Sequence, residues 1–475
     1  MKKYLLMFLF ALSTICFAEA PAAKKLPASS LQQFDAYLSE IKKAYHIPGM
    51  AFFITTPEET IFERTYGQCT SVDQQFFIGS MSKSYTALCV MQLVEKGLIN
   101  LDEDISTYLP DYKFPKKVSV LSLLNHTSGF DTHAKLFNAK LTDSYGRYEY
   151  ANVNYDLLGK IIETVSGKSY EDYIQQNVFA PLGMADSKAN AQALKESPKL
   201  LNGNRNYFGF FKQGDASYPT AKSWFHEPAG YIATTPRDHA KYLRMYLNGG
   251  LSEQGERIIK KETIDSMWYT NVPYDEASSG FYGKGWNYTE MNGLKLVFHG
   301  GQVETGITYM FILPEEQLAV CFMLNGNDEF VTNSLMDNAI WNSLAIIKGE
   351  PTKEISHSAY VVRHVVYDAL YLLVFAFSLF ILIKAIKSKD GIKAVGAAKV
   401  KAVIFNAAAY ILWPLFLLTA IKIFVDTPLW VVRLFVPDLY FVILISAAFA
   451  FTGGIFKIIN ALCCRKRAAK TPCAN

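Results

Sequence analysis

Residues 76–95 read FFIGSMSKSYTALCVMQLVE, and this stretch sets Ser80 and Lys83 three positions apart at the head of an apolar segment. Apolar side chains follow the serine at helical spacing, at Ala87, Val90, Met91 and Val94. The stretch therefore predicts a buried helix with Ser80 on its first turn. Because side chains three apart lie on one helix face, we expect the Lys83 amine to reach the Ser80 hydroxyl.

A serine beside a lysine is a candidate nucleophile with its base. Serine needs an adjacent base to attack a carbonyl, and lysine serves as one only when burial or cationic neighbours hold it neutral. The N–H groups at the helix start could also stabilise an oxyanion. The spacing alone is weak evidence, since Ser39 and Lys42 share it within a predicted amphipathic helix over residues 29–45. We interpret that second pair as exposed and solvated.

Strand-like segments lie near both ends of the first 350 residues. Residues 49–66 give two β-rich segments around Pro57, which predicts a hairpin. Three later segments are strand-like, over residues 294–298, 306–313 and 318–324. Helical periodicity returns over residues 328–347, and the chain between the two strand-rich ends is interpreted as mostly helix and loop. One sheet closed by both ends of the chain, with helices around it, is an α+β fold.

Further motifs follow Ser80 in a set order. Residues 150–159 read YANVNYDLLG, and residues 299–302 read HGGQ on a strand-like segment. Three flanking stretches accompany them, LLNHTSG at 123–129, PLGM at 181–184 and PAGYIATTPRD at 228–238. With IGSMSK, these motifs make about residues 30–347 resemble the serine β-lactamase-like superfamily, in the branch of class C β-lactamases, penicillin-binding proteins and esterases. The resemblance implies a β-lactamase/transpeptidase-like domain, an antiparallel sheet flanked by helices with a helical subdomain.

The resemblance also implies catalytic roles. Ser80 would be the acylated nucleophile, while Lys83 and Tyr150 would share proton transfer, with either of them as the base. Asn152 would hydrogen-bond the amide of the substrate. The backbone N–H groups of Ser80 and Gln302 would form the oxyanion hole.

Substrate-binding residues are implied around a second motif. His299, Gly300 and Gly301 stand where other members of the superfamily have Lys-Thr-Gly, and the glycines allow a substrate to approach that strand closely. With Gln302, these three residues are predicted to bind substrate. His126, in the NHTSG turn, is interpreted as a structural histidine.

The chain has the layout of a signal peptide, an exported domain and three C-terminal apolar segments. This layout is similar to that of one group within the branch, the membrane-anchored prodrug-activating D-asparaginyl peptidases. That group also has a histidine at the position of His226, which is therefore predicted to bind substrate. The chain departs from the group at Asn152, where the group has serine, and at Val303, where it has asparagine. Glu227 and Glu304 raise the hypothesis of a cationic substrate group instead.

The predicted function is a serine hydrolase that acts through an acyl-enzyme on amide or ester bonds. Its expected partners are small peptides, N-acyl amino acids or esters, and its favoured activity is that of a peptidase on D-amino-acid-containing or N-acylated peptides. A prodrug-activating peptidase of a nonribosomal peptide pathway and a β-lactamase remain alternatives within the same chemistry. A penicillin-binding sensor with little turnover is the alternative of another class.

Apolar segments at both ends predict export and membrane anchoring. Residues 1–18 have the layout of a secretory signal peptide. Three segments, at about 365–385, 402–424 and 437–459, each approach the roughly 20 residues that cross a bilayer. Lysine and arginine cluster between the first two segments and after the third, which places those loops in the cytoplasm.

These observations divide the chain into a signal peptide (1–18), an extracytoplasmic hydrolase domain (21–350), a linker (351–364), a membrane domain (365–463) and a basic cytoplasmic tail (464–475). The predicted location is the bacterial cytoplasmic membrane, with the catalytic domain in the periplasm and the lipid bilayer as a partner. An exporter or oligomer partner could bind through the membrane helices.

Composition and missing motifs exclude other classes. The net charge of +4 is no nucleic-acid signal, because much of the basic excess flanks the apolar segments. The sequence contains no H-E-x-x-H, Walker or G-x-S-x-G motif, which disfavours a zinc hydrolase, a nucleotide-binding protein and an α/β-hydrolase. No metal and no cofactor are expected. The exported cysteines, Cys69, Cys89 and Cys321, show no disulfide-framework spacing.

Overall fold

The computed structural model describes residues 23–214, 218–275, 277–388 and 397–468, with no side-chain detail for 397–399, 402 and 461–468. The predicted signal peptide and the last residues of the predicted tail lie outside these ranges. The described chain forms an α+β domain followed by apolar helices, as the sequence predicts.

The strands are short except at the two ends of the domain. Their bounds are β1 Gly49–Thr55, β2 Thr60–Gly67, β3 Phe76–Phe77, β4 Asn204–Tyr207, β5 Phe210–Gln213, β6 Ala233–Thr234, β7 Val272–Pro273, β8 Phe281–Gly283, β9 Trp286–Met291, β10 Leu294–Val303, β11 Gly306–Leu313, β12 Leu318–Leu324 and β13 Gly326–Asn327. Among the described residues, eight of them form one antiparallel sheet in the order β2-β1-β12-β11-β10-β9-β8-β7.

Helices cover both faces of this sheet and make up the C-terminal region. Their bounds are α1 Ala28–Ala44, α2 Ser82–Glu95, α3 Val120–Leu124, α4 Asn152–Ser166, α5 Tyr170–Ile174, α6 Pro236–Leu247, α7 Lys261–Tyr269, α8 Thr332–Lys348, α9 His357–Lys387, α10 Ala397–Ala407, α11 Trp413–Val425, α12 Leu429–Phe435 and α13 Pro437–Ala468.

The sheet is closed by pairing the two ends of the domain. β1 pairs with β12 in a register that sets Phe52 opposite Phe322. Every residue of β1, β11 and β12 is buried, which fits strands with a helix layer on each side. One core lies between the sheet and helices α1 and α8, and the other lies between the sheet and helices α2, α4 and α6. The predicted hairpin and the three predicted C-terminal strands are all present.

Three strands of the eight-stranded sheet were not predicted from the sequence. β7 and β8 are only two and three residues long, and β9 mixes partly exposed with buried positions. Such segments carry no clear period-two alternation, so their strand character comes from pairing with β10 through β9. They extend the sheet beyond the strand that carries His299.

Three helices of the described chain are long and apolar enough to cross a membrane, namely His357–Lys387, Val403–Val425 and Pro437–Asn460. The first begins inside the segment predicted as a linker, because its first two turns pack on the catalytic domain. There Tyr360 is buried and donates to the backbone carbonyl of Gly209 at 3.1 Å. The second contains a π-helical turn, Ala408–Leu412, directly before Pro414. Proline removes a helical N–H donor, and a π turn accommodates that loss.

Polar contacts join the apolar C-terminal helices to the α+β domain. His364 Nε2 of α9 lies 2.8 Å from Asp328 Oδ2, and both side chains are buried. Asp438 of α13 accepts from the backbone N–H of Phe208 at 3.0 Å. These groups, which lie away from water, are thus paired with partners in the other part of the chain.

Candidate active site

Ser80 lies on a turn that the backbone makes sharp. Gly79–Met81 is a 3-10 turn that leads directly into α2, and Gly79 has a φ of +53°. Glycine enters this left-handed region without the cost that a β-carbon imposes. The sequence predicted Ser80 on the first turn of a helix, and the structure places it on this tight turn just before α2.

The Lys83 amine contacts Ser80 and two carbonyl oxygens. Lys83 Nζ lies 3.0 Å from Ser80 Oγ, 2.7 Å from Asn152 Oδ1 and 2.7 Å from the backbone oxygen of Ala229. The lysine side chain is 0% exposed. A neutral amine has two N–H groups and one lone pair. The two short contacts to carbonyl oxygens use both N–H groups, so the lone pair is left facing the serine hydroxyl.

Burial has opposite effects on the two groups proposed to share the proton. It lowers the pKa of Lys83 well below the ordinary lysine value, against an opposing effect of the Asp156 carboxylate. It raises the pKa of the Tyr150 phenol above the ordinary tyrosine value, and the hydrogen bond with Ser80 opposes that rise. Both directions favour a neutral amine beside a protonated phenol.

The Tyr150 ring is packed between Lys83 and a buried histidine. Lys83 Nζ lies 4.8 Å from the centre of the Tyr150 ring, and the His126 ring lies 4.3 Å from it on centroids. His126 Nδ1 accepts from the backbone N–H of Ala151 at 3.2 Å and is 2.8 Å from Asn154 Nδ2. Burial lowers the pKa of His126 well below the ordinary histidine value, so the imidazole is neutral. His126 has a φ of +56°, and this turn histidine also forms part of the wall behind Tyr150.

Strand β10 runs against the turn that carries Ser80. A β-carbon at Gly301 would lie 1.9 Å from the backbone oxygen of Ile78, and one at Gly79 would lie 2.2 Å from the amide nitrogen of Gln302. Thr308 of the neighbouring strand donates to the same Ile78 oxygen at 2.7 Å. The glycines therefore bring together the two backbone segments that were predicted to form the oxyanion hole.

Replacing Gly301 with alanine is expected to destabilise the domain by about 1–3 kcal/mol, because the added methyl group forces β10 away from the Ser80 turn. Covalent labelling of Ser80 by a serine-reactive probe is expected to fall as well. Gly300→Ala is the matched control, since its β-carbon would meet nothing closer than Tyr309 Cδ2 at 3.3 Å. Thermal unfolding of both variants checks the prediction, and equal melting temperatures would contradict it.

His299 is buried on β10 and neutral. Its Nδ1 donates to the carbonyl oxygen of Gly300 at 2.6 Å, and Nε2 lies 3.3 Å from the hydroxyl of Tyr282. Burial lowers the pKa of His299 to about 3. The side chain of Gln302 points to the next loop, where its Nε2 donates to Asn327 Oδ1 at 2.9 Å.

The remaining predicted site residues have partners within the protein. Asn152 gives its side-chain oxygen to Lys83. His226 pairs with Asp156, which lies on α4. The carboxylate of Glu304 is buried and accepts from the Tyr231 hydroxyl at 3.0 Å, and Glu227 accepts from the backbone N–H of Ala191 at 3.1 Å.

The sequence analysis missed two features of the site. The oxygen of Ala229 is a backbone group, which no residue type reveals. Asp156 could have been found as the residue one helical turn beyond Asn152, on the same face of α4. Among the described residues, no group of three or more His, Cys, Asp or Glu side chains could hold a metal ion.

Comparison with known proteins agrees with this geometry. The Beta-lactamase family model matches residues 34–344, and the protein belongs to this family. Members of the family with this fold are generally serine hydrolases, and the α+β domain with its antiparallel sheet is the fold of the family.

Several named proteins are similar to parts of the chain. Protein flp of Staphylococcus aureus (strain MRSA252) is 25% identical over 342 residues, which cover 65% of each chain. The chain thus spans less than two thirds of the length of that relative. Penicillin-binding protein 4 of Amycolatopsis lactamdurans is 24% identical over 329 residues, or 62% of this chain and 84% of the relative.

Two solved structures share the fold. The octameric penicillin-binding protein homologue from Pyrococcus abyssi superposes with a TM-score of 0.58 at 26% identity, over 70% of this chain and 80% of its own. A D-stereospecific amidohydrolase from Streptomyces sp. superposes with a TM-score of 0.53 at 19% identity, over 65% of this chain and 97% of its own.

Proposed function

We propose that the protein is a membrane-anchored serine hydrolase that cleaves amide or ester bonds through an acyl-enzyme on Ser80. One observation carries the proposal, the buried Lys83 amine that lies 3.0 Å from Ser80 Oγ and 2.7 Å from each of two carbonyl oxygens. A serine hydroxyl becomes nucleophilic when such a base takes its proton. Membership in the Beta-lactamase family supports the same chemistry.

Acylation begins with proton transfer from Ser80 to Lys83. The serine oxygen forms a bond to the substrate carbonyl carbon, and the carbonyl oxygen becomes an oxyanion facing the backbone N–H groups of Ser80 and Gln302. The oxyanion then collapses, and the bond to the leaving amine or alcohol breaks. The protonated Lys83, through the Tyr150 hydroxyl, returns the proton to that leaving group.

Deacylation repeats these steps with water. A water molecule gives its proton to the same base and attacks the acyl carbon, and Ser80 leaves as the hydroxyl after regaining a proton. The protein therefore ends each cycle in its starting protonation state, and no cofactor takes part in any step.

We also propose a narrower class of substrates than amides and esters in general. We favour D-amino-acid-containing or N-acylated peptides, on the resemblance of the motifs to D-asparaginyl peptidases and on the similar fold of the D-stereospecific amidohydrolase. The three apolar C-terminal helices and the lysines that follow the first of them support anchoring in the cytoplasmic membrane with the catalytic domain outside.

Intact-protein mass spectrometry with a fluorophosphonate probe and with benzylpenicillin tests the nucleophile. Paired N-acyl-D- and N-acyl-L-amino-acid amides then test the substrate class, with asparagine among the D-amino acids. We expect labelling of the wild-type protein and faster hydrolysis of the D series. Absence of labelling would contradict the hydrolase, and equal D and L rates would contradict the substrate class.

Outcomes of this experiment also separate the alternatives. Fast turnover of penicillin would indicate a β-lactamase. A stable adduct with no turnover of any amide or ester would favour a penicillin-binding sensor. A strong preference for D-asparagine would favour the prodrug-activating peptidase.

A further inference from the structure

Asp156, which is buried, and His226, which is partly exposed, form a pair beside the Lys83 site. Asp156 Oδ1 accepts from the backbone N–H of His226 at 3.1 Å, and Oδ2 lies 2.8 Å from His226 Nδ1. The other ring nitrogen, Nε2, lies 2.9 Å from the carbonyl oxygen of Thr220. Both ring nitrogens therefore face acceptors, which is the arrangement of an imidazolium that donates twice.

This pair joins the two elements that hold the Lys83 amine. Asp156 lies one turn beyond Asn152 on α4, and its side chain shares a face with that amide. His226 begins the turn that carries Ala229, because its carbonyl oxygen accepts from the N–H groups of Ala229 and Gly230 at 3.1 and 2.9 Å. This contact thus joins the helix that carries one acceptor of Lys83 to the turn that carries the other.

Close packing reinforces the same junction. A β-carbon at Gly159 of α4 would lie 2.4 Å from Pro228 Cγ in the turn. The hydroxyl of Thr86, on α2, donates to the carbonyl oxygen of Pro228 at 2.7 Å. Three elements therefore meet at residues 227–231, and the charged pair is the polar contact between α4 and this turn.

We propose that Asp156 and His226 are a positioning pair for Lys83, which fastens α4 to the 227–231 turn and so fixes both oxygens that accept from the amine. The proposal rests on the role of Lys83 as base. It assigns His226 to the orientation of the base, whereas the sequence resemblance implied contact with substrate.

The charges of the pair also act on the amine. The Asp156 carboxylate favours the ammonium form of Lys83, in opposition to burial. Burial alone would lower the pKa of His226, but the hydrogen bond and charge of Asp156 outweigh it and raise that pKa. A protonated His226 places a positive charge beside the Asp156 carboxylate and so opposes the effect of that carboxylate on Lys83.

Other titratable groups surround the amine and the pair. Around Lys83 lie the phenols of Tyr150 and Tyr155, whose pKa values burial raises, and the neutral imidazoles of His126 and His299. Glu227 and Tyr170 face the pair from the turn and from α5, and burial raises both of their pKa values.

The pH dependence of Ser80 labelling tests the proposal in the full-length protein. The rate of labelling by an alkyl fluorophosphonate rises with pH as Lys83 loses its proton, which gives an acid limb. Asp156→Asn removes the charge that favours the ammonium, so we expect the acid limb to move to lower pH by about one unit. His226→Gln leaves that charge without compensation, so we expect a shift of about one unit in the opposite direction.

Both variants are also expected to label about tenfold more slowly on the plateau, because the acceptors of the amine are less well fixed. His364→Gln is the matched control, since it removes another His–Asp contact of 2.8 Å, on α9. Its acid limb is expected to coincide with that of the wild type. If Asp156→Asn does not fold, as judged by its melting temperature, the proposal is tested by His226→Gln alone, whose acid limb should move to higher pH.

Three outcomes would overturn the proposal. Slower labelling by both variants with no shift would mean that the pair is only structural. Shifts in the same direction would contradict the opposed charges. Unchanged labelling of His226→Gln with a raised KM for peptide amides would assign the histidine to substrate binding. Failure of the proposed function is distinct from these, since the wild-type protein would then not be labelled at Ser80.

Discussion

Ser80→Ala is expected to abolish covalent labelling and to lower amide hydrolysis by about 10⁴-fold or more. The hydroxyl is the group that Lys83 contacts at 3.0 Å, and alanine removes the atom that would carry the acyl group. The folded state should be unaffected, because the serine lies on a surface turn of the site and its loss creates no large cavity. Intact-protein mass spectrometry with the fluorophosphonate probe, together with a thermal melt, measures both effects.

The chain contains a natural control for this experiment. Ser39 and Lys42 repeat the same spacing, but Ser39 lies on the exposed face of α1. Ser39→Ala is therefore expected to keep full labelling and full hydrolysis. Persistent labelling of Ser80→Ala, or loss of labelling in Ser39→Ala, would refute the assignment of the nucleophile.

Lys83→Met is expected to lower the rate of Ser80 labelling by about 10³-fold, the usual worth of a well-placed general base. Methionine fills a similar volume without the amine. The change also leaves the oxygens of Asn152 and Ala229 without their shared donor, which costs about 1–3 kcal/mol for each buried group left unpaired.

Lys83→Met is also expected to change how the stability of the protein depends on pH. An unfolded lysine binds a proton below pH of about 10.4, whereas the buried, depressed pKa of Lys83 keeps the folded amine neutral over part of that range. The unfolded state then binds more protons, so the stability of the wild-type protein falls as pH falls, by up to about 1.4 kcal/mol per pH unit. Methionine does not bind a proton, so Lys83→Met lacks this loss of stability at low pH. The stability of Lys83→Met relative to wild type should therefore rise as the pH is lowered.

Denaturant unfolding at several pH values between 6 and 10, in one detergent, measures this difference. Lys42→Met provides the control, since Lys42 is partly exposed on α1 and touches neither Ser80 nor Tyr150. A stability difference between Lys83→Met and wild type that does not change with pH would contradict a neutral Lys83 in the folded state.

Much of the fold was predictable because local pattern and tertiary environment agree. The segments that became β1, β2, β11 and β12 are apolar, β-branched or aromatic and are bounded by turn residues, so their strand character is local. The helix after Ser80 was predicted from the helical spacing of its apolar residues, and in the fold it is buried on all sides from Ser82 to Leu93. Strands β7 and β8 lack any such signal, since only pairing with their neighbours makes them strands.

The candidate site was likewise predictable only in part. The order and spacing of the serine, lysine, tyrosine and glycine motifs are properties of the sequence, and they predict which side chains form the site. The oxygen of Ala229, the wall formed by His126 and the Asp156–His226 pair come from segments far apart in the chain.

The sequence by itself determined the long strands β1, β2, β11 and β12, the presence of the family motifs and the separation of Ser80 from Lys83 by about one turn. Tertiary structure alone decided that Lys83 is enclosed, with its amine between Ser80 Oγ and two carbonyl oxygens. The physical reason is that a pKa depends on burial and on charges from distant segments, and a backbone oxygen has no letter in the sequence. Spacing in the sequence can predict that two side chains are in contact, but their protonation states depend on the packed fold.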